Sequence, residues 1–349
     1  MLGKIGFACK WVDDSLETVP ELNNRGTTVA WLNRQTREVA EQRLWDIMVH
    51  NINAAYNLVA RVGWLNEQLR MVRIGSDILP VFTEPSWRYF WQRSDVRAYA
   101  ERHLEPVGNL ARSTGVRLSF HPGQFTVLAS ESNDVVERSI EEFEYHATLA
   151  RWMGYGKTFQ DFKINVHIAG RRGAQGIRDV YPRLSNEARN TITIENEEMA
   201  HGLDDCLQLA DLVPIVLDIH HHWIREGEYI RATDPRVGVV VDSWRGIRPT
   251  IHYSVSREDV LTGHCAETLP NHKLLLEQGH KKQKLRAHSD FYWNTAVNDW
   301  ALEHLAWADM MCESKAKNQA SRRLYNHLNN SQISPVALNK NDEQLGITI

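Results

Sequence analysis

The residues best suited to chemistry follow one apolar segment in the second half of the chain. A run rich in β-branched residues at 213–217 leads into Asp218, and three consecutive histidines occupy 220–222. An apolar run of this length is typical of a strand buried on both faces. A carboxylate and imidazoles at its carboxyl end are donors that bind divalent metal ions such as Zn²⁺ or Mn²⁺. An exposed polar loop after a core strand would show the same residues, so the pattern becomes informative only if it recurs.

Metal-ligand residues do recur at the carboxyl ends of other predicted strands. In a parallel barrel these ends meet at one mouth, where active sites are built. Two further histidines, His221 and His288, lie just beyond a strand or before a helix. Together the candidates exceed the three or four protein ligands of one ion, which predicts a multinuclear site with the central Glu195 as bridging carboxylate. The strand-end residues are His121, His167, Glu195, Asp218, His252 and Glu313.

The elements that must position these residues alternate along the chain. Helical spacing of apolar residues predicts helices at about 36–62, 94–113, 291–306 and 315–329, with Asn133 as the cap of another. Between them lie eight short apolar segments that we predict as strands, at 4–9, 71–74, 116–120, 162–166, 191–194, 213–217, 249–251 and 309–312.

This alternation favours one (β/α)₈ TIM barrel over 1–330, with the metal site at the carboxyl-end mouth. No boundary rich in Gly, Pro or Ser divides the chain, and neither G-x-G-x-x-G nor a P-loop is present, so a doubly wound fold and a nucleotide cofactor are disfavoured. The glycine-rich stretch 170–176 is interpreted as a mobile loop. The polar segment 331–349 is expected to be a loose C-terminal tail.

Composition sets broad limits on function. The 349 residues are 42% hydrophobic and 24% charged, with no apolar run of transmembrane length. The four cysteines lie far apart, so no disulfide framework or zinc ribbon is indicated, and a cytoplasmic protein without a membrane partner is expected. The formal charge of −4 argues weakly against nucleic acid, although it hides local basic clusters such as 280–286.

The predicted ions leave two classes of reaction open. Close-set divalent ions suit in-line displacement at phosphorus, and they also serve aldose–ketose isomerisation in similar barrels. Gln124 and Phe125 follow His121 in a turn, so an amide and an aromatic ring would project beside the site. Such a pair suits a wedge that enters a duplex and fills the gap left by extruded bases. Phe125 could instead pack beneath its own loop.

Ordered motifs from the second strand to the last helix resemble those of the UV damage endonuclease family. Individually the motifs are modest, but the ordered set is specific. They lie at 73–77, 119–125, 165–170, 193–197, 218–222, 251–254, 287–290 and 313–317.

The resemblance implies a barrel like that of endonuclease IV, acting on double-stranded DNA that carries UV lesions. The implied reaction is nicking immediately 5′ of cyclobutane dimers and 6-4 photoproducts, leaving a 3′-hydroxyl and a 5′-phosphate, and we expect a monomer. An apurinic-site endonuclease, a sugar isomerase and a damaged-DNA-binding module with structural metals are the alternatives. The implied cofactor is a cluster of Mn²⁺ ions, with Mg²⁺ or Zn²⁺ as alternatives.

The resemblance also assigns residues to roles. It implies that Gln124 and Phe125 probe the lesion, with Phe125 in the place of a family tyrosine. Among the implied ligands, the candidate catalytic groups are Glu195, Asp218, His252 and Glu313. The full implied ligand set is His121, His167, Glu195, Asp218, His221, His252, His288 and Glu313.

Several positions depart from the family pattern. Glu84 stands where the family usually has a histidine ligand, so we expect it as a further ligand in a subsite that favours harder ions. Thr250 stands where a lysine is usual, so that lysine's contribution is missing or supplied elsewhere. Phe7 and Trp11 replace a tyrosine and an asparagine and are further candidates for DNA contact. The segment 254–286 is longer than usual.

Overall fold

Short segments of β-branched and other apolar residues form the frame of the molecule. The computed structural model describes residues 2–331, and within them eight parallel strands form where the sequence predicts them. The sixth strand is the shortest, with two residues, and a helix capped by Asp218 begins soon after it, at Ile219. The strands are β1 (Ile5–Cys9), β2 (Met71–Ile74), β3 (Arg117–Phe120), β4 (Lys163–His167), β5 (Ile192–Glu195), β6 (Ile215–Val216), β7 (Thr250–Tyr253) and β8 (Asp309–Cys312).

The eight strands curl into a nearly closed barrel. Their order in the sheet is β6-β5-β4-β3-β2-β1-β8-β7. The remaining gap between β6 and β7 is bridged where the amide of His252 donates to the carbonyl of Leu217 at 3.0 Å, next to the parallel pairing of Asp218 with His252. The predicted TIM barrel is therefore confirmed, with a single set of eight strands in the described residues.

Helices cover the outside of the barrel. The longest carry apolar residues at helical spacing toward the strands and polar residues outward. Within residues 2–331 no helix has the length and apolar character needed to cross a lipid bilayer. The helices are α1 (Val29–Leu32), α2 (Arg37–Gly63), α3 (Arg88–Gln92), α4 (Ser94–Thr114), α5 (Asn133–Trp152), α6 (Gly173–Val180), α7 (Asn186–Thr191), α8 (Leu203–Leu207), α9 (Ile219–Glu226), α10 (Pro235–Ser243), α11 (His272–Glu277), α12 (Lys282–Leu285), α13 (Thr295–Leu302) and α14 (Lys317–Asn330).

Some local predictions were wrong. The cap of α5 is Ser132 rather than Asn133. The stretch 170–176 is not simply a loop, because α6 begins at Gly173. Helix α13 begins later than predicted because Asn294 caps it by accepting from the amide of Val297. The predicted tail 331–349 lies, apart from Ser331, outside the described residues.

Side chains alternate between two environments along each strand. One set faces the helices and forms the main apolar core, as Val72, Phe120 and Ile164 do. The other set faces the barrel axis, where a small separate apolar cluster of Ala8, Met71 and Met311 lies. Because strand side chains alternate with period two, the polar residues between the core positions are directed to the axis.

The environment of His304 illustrates how tightly the outer core is built. This residue is fully buried, its Nε2–H donates to the carbonyl of Ile230 at 3.2 Å, and its Nδ1 accepts from the indole N–H of Trp307 at 3.2 Å. Burial lowers the pKa of His304 to about 4. The native protein therefore holds His304 neutral where the unfolded chain already binds a proton.

This burial predicts loss of stability in acid. The contribution of His304 is complete above pH 6.5 and is lost as the pH falls from 6.5 toward 4, amounting to roughly 3 kcal/mol. We expect His304→Gln to reduce the pH slope of the unfolding free energy of chelator-treated protein by about 1.4 kcal/mol per pH unit in that window. Urea unfolding at several pH values measures it, and equal slopes in wild type and variant would contradict the prediction.

Candidate metal centre

The strand-end residues meet at the carboxyl-end mouth of the barrel. Their donor atoms form three groups, in each of which the atoms lie within 4.8 Å of one another. Neighbouring groups share a residue, so the groups form one connected cluster. They are His121 with Glu195 and His252, His167 with Glu195 and His221, and Asp218 with His252 and Glu313.

Glu195 lies at the centre of the cluster. Its Oε1 is 2.9 Å from Nδ1 of His252, and its Oε2 is 3.3 Å from Nε2 of His121. Its position is fixed by Asn165, whose amide donates to Oε2 and whose own carbonyl accepts from the hydroxyl of Thr193 at 2.8 Å. Burial opposes ionisation of Glu195, but the facing imidazoles outweigh it and hold its pKa well below the usual value. The carboxylate is thus charged and held in place.

Several imidazoles are oriented in the way that metal ligands require. A ligating histidine usually donates its other ring N–H to a carbonyl or carboxylate, which fixes the tautomer. The Nδ1–H of His121 donates to Pro122 O at 2.9 Å, and that of His288 donates to Glu313 O at 2.8 Å. Nδ1–H of His221 likewise donates to Asn196 O at 3.1 Å. In the neutral form of each ring Nε2 then carries the lone pair that an ion would bind.

The carboxylates create a demand for positive charge. Asp218 is fully buried, and its Oδ2 has no hydrogen-bond partner within the described residues. Burial raises the pKa of Asp218 to about 7. His221 is buried too, but Asp218 and Glu195 outweigh that burial and raise its pKa to about 9. Imidazole and carboxylate donors around an unpaired buried oxygen fit divalent cations.

Glu313 is held by a cation from β2, which is separated from β8 by β1 alone. Arg73, on the axis-facing side of β2, forms a largely buried ion pair with it. Burial opposes the charged form of Glu313, but the guanidinium outweighs it and holds the pKa well below the usual value. Glu313 also lies 3.4 Å from Nδ1 of His252, so Arg73 fixes the edge of the cluster.

The three consecutive histidines separate into different roles because they lie on α9 and not in a loop. Asp218 caps this helix by accepting from the amide of His221 at 2.7 Å, which brings His221 into the cluster. His220 stacks near Trp223, and His222 pairs with Glu228 at 2.7 Å outside the cluster. His288 belongs to none of the three groups but lines the cleft above them.

Glu84 is not brought into the cluster. It belongs to none of the three donor groups found in residues 2–331. Its carboxylate instead accepts from the hydroxyl of Ser86 at 3.3 Å in the partly exposed turn before α3. The structure therefore does not support Glu84 as a further ligand, or a harder subsite built on it.

The expected DNA-contacting residues fall into two pairs. Gln124 and Phe125 both project from the loop after β3 into the cleft at the mouth, and the Phe125 side chain is 86% exposed. Phe7 is 1% exposed, because alternation along β1 turns it toward the helices, where it packs edge-on against Trp11 at 5.7 Å. Phe7 and Trp11 line a different cavity beside α2 and α14. The structure thus does not support Phe7 and Trp11 as DNA contacts.

Sequence reasoning missed a buried lysine beneath the cluster. Lys163 begins β4 and points to the axis, with its Nζ 2.9 Å from Nε2 of His252. Burial lowers the pKa of Lys163 to about 7. The strand of His252 carries Thr250 where the resemblance expects a lysine, so a lysine reaches this level of the barrel from another strand. The alternation Lys163-Ile164-Asn165-Val166-His167 was the signal for it.

Lys163 should matter for metal retention, because it leaves Nδ1 of His252 as the nitrogen that faces Glu195 and Glu313. We expect Lys163→Met to weaken metal affinity by about 10- to 100-fold, the usual range for a residue that orients a ligand. Competition with a chromogenic chelator measures it. Thr250→Val is the matched control, since the Thr250 hydroxyl is buried without a hydrogen-bond partner in the described residues. Equal affinity in wild type and Lys163→Met would contradict this role.

Comparison with known proteins places the chain among its relatives. A UV-damage endonuclease of Schizosaccharomyces pombe is 26% identical over 334 residues, covering 91% of this chain and 49% of the relative. The chain thus spans about half the length of that relative. The crystal structure of SacUVDE matches with a TM-score of 0.70 at 21% identity, covering 94% of this chain and 98% of that one. Endonuclease IV from Thermus thermophilus matches with a TM-score of 0.50 at 15% identity, covering 80% of this chain and 95% of that one.

The two structural matches show the shared barrel fold. The assignment to a family comes from a family model, described as UV-endonuclease UvdE, that matches residues 3–340. Because this match spans nearly the whole chain, the chain belongs to the UvdE family of UV-endonucleases.

Proposed function

We propose that this chain is a divalent-metal-dependent endonuclease that nicks duplex DNA immediately 5′ of UV photoproducts. The observation that carries the proposal is a single cleft of about 720 Å³ that joins the cluster to the exposed loop of Gln124 and Phe125. Three residues of the cluster, His167, His221 and Glu313, line this cleft with them. A reacting phosphate and an extruded base would thus be bound side by side. Membership of the family supports the same reading.

Different residues of the chain would bind the ions, position the ligands and contact the lesion. The three donor groups and His288 would hold the ions, with Glu195 shared between two of the groups. When bound, the ions would lower the pKa of an attacking water and stabilise the leaving 3′ oxygen. Arg73 and Asn165 keep two of the carboxylates in place. Phe125 and Gln124 would occupy the gap left in the duplex.

The metal we propose is Mn²⁺. Imidazoles suit several transition ions, whereas three carboxylates in one cluster favour a harder ion than an all-histidine site does. Mg²⁺ and Zn²⁺ are the alternatives. The monomeric state and the cytoplasmic location of the protein stay predictions.

A nicking assay tests the function. The purified chain is incubated with irradiated, abasic and undamaged duplexes of one sequence, with and without chelator, and with Mn²⁺, Mg²⁺ or Zn²⁺ added back. We expect nicks only in the irradiated duplex, mapping to the 5′ side of dipyrimidines and carrying 3′-hydroxyls. Nicking of the abasic duplex alone would indicate an apurinic-site endonuclease. Specific binding without nicking would indicate a damage-binding module.

A further inference from the structure

The segment 254–286 is an ordered excursion from the barrel, not a loose loop. Its two ends pair with each other, since the amide of Arg257 donates to Ala287 O at 3.1 Å and that of Ser289 donates to Val255 O at 3.0 Å. A small apolar cluster fastens it to α9. That cluster consists of Trp223, Ile224, Leu261, Leu275 and Leu285.

The last turn of this excursion, α12, is fixed against the mouth of the barrel. Leu285 is fully buried, and Nζ of Lys282 donates to Arg225 O at the end of α9, at 2.8 Å. These anchors leave Gln283 and Arg286 on the face that lines the cleft, where Gln124 and Phe125 also lie. The cleft thus has an aromatic loop and a basic turn among its walls.

Glu198 connects Arg286 to the cluster of donor residues. Its Nη1 donates to Oε1 of Glu198 at 2.6 Å, and Oε2 of Glu198 is 3.7 Å from Nε2 of His221. The Arg286 side chain is 47% exposed. Its pair with Glu198 is its single side-chain hydrogen bond within the described residues, so most of the five guanidinium N–H donors remain available.

We propose that the 254–286 excursion is a phosphate-binding wall of the cleft, with Arg286 contacting the DNA backbone beside the metal centre. This inference rests on the proposed function, because it takes duplex DNA as the ligand. A guanidinium suits a phosphodiester because it donates two parallel hydrogen bonds to its oxygens. Glu198 holds Arg286 in position before DNA arrives, and Lys284, exposed on the same turn, adds positive charge.

Salt dependence separates a phosphate contact from a merely structural pair. Each phosphate contact contributes about 0.9 to the slope of log K against log salt, independently of base sequence. We expect Arg286→Gln to reduce that slope by about 1, equally for irradiated and undamaged duplexes. Arg286→Lys should keep the slope because it keeps the charge.

The measurement is fluorescence anisotropy of a labelled duplex with the metal-loaded protein at several salt concentrations. Lys273→Gln, a lysine on α11 of the same excursion that does not line the cleft, is the control and should leave the slope unchanged. If Arg286→Gln has the wild-type slope of log K against log salt, the proposed phosphate-binding wall is wrong, even if the wild type nicks irradiated DNA. A reduced slope would support phosphate binding by the excursion even if the wild type does not nick. In that case only the proposed function would be wrong.

Discussion

Glu195→Gln should lose bound metal and should nick irradiated duplex at least about 10²-fold more slowly than the wild type. The substitution keeps the shape of the side chain and removes its charge. Glu195 is shared by two of the three donor groups, so one change weakens both. A neutral amide also cannot accept from both Asn165 and His252, which face the two different terminal atoms, because one of those atoms is a donor.

Elemental analysis after dialysis and the nicking rate measure this outcome, and circular dichroism checks that the barrel is retained. Glu228→Gln is the matched control, because Glu228 also pairs with a histidine, His222 at 2.7 Å, but lies outside the cluster. That variant should keep wild-type metal content and rate. If Glu195→Gln keeps both as well, Glu195 is not the shared ligand.

Much of this cluster could be predicted because barrel geometry converts position along a strand into position in space. His121, His167, Glu195 and Glu313 end or directly follow their strands, His252 lies one residue before the end of β7, and parallel strands bring these ends to one mouth. The prediction needed only strand ends, which apolar runs mark clearly.

The residues that sequence reasoning misplaced or overlooked share a different cause, because the direction of each side chain could not be predicted. Phe7 belongs to the first strand, but its position in the alternation points it to the helices and not to the axis. Lys163 was overlooked for the same reason, since its axis-facing position shows only once the register of β4 is known. Glu84 lies in a turn with no periodicity, so its direction depends on packing that no local pattern encodes.

Phe125 projects at the mouth as the sequence predicts, and packing does not explain its exposure. An aromatic side chain that is 86% exposed gains nothing from the protein core. A photodimer weakens pairing and stacking, so extruding it costs less than extruding two intact bases, for which unstacking costs on the order of a few kcal/mol. A flat ring in the emptied stack would recover part of that cost.

We therefore expect Phe125→Ala to weaken binding of irradiated duplex by about 5- to 150-fold, because stacking by an aromatic side chain contributes roughly 1–3 kcal/mol per base. Metal content should not change, since Phe125 belongs to none of the donor groups. Binding of wild type and variant to irradiated and undamaged duplexes of one sequence measures the effect. Phe125→Tyr should retain affinity, whereas Phe125→Leu, apolar but not flat, should lose most of it.

The control for exposure alone is Trp64→Ala. Trp64 is 88% exposed, but it directly follows α2 and precedes β2, at the opposite end of the barrel from the mouth. Its removal should leave binding of both duplexes unchanged, because a ring there cannot reach DNA held over the metal centre. Full discrimination between irradiated and undamaged duplex by Phe125→Ala would show that another group fills the gap. Gln124, which projects from the same loop, would then be the residue to replace.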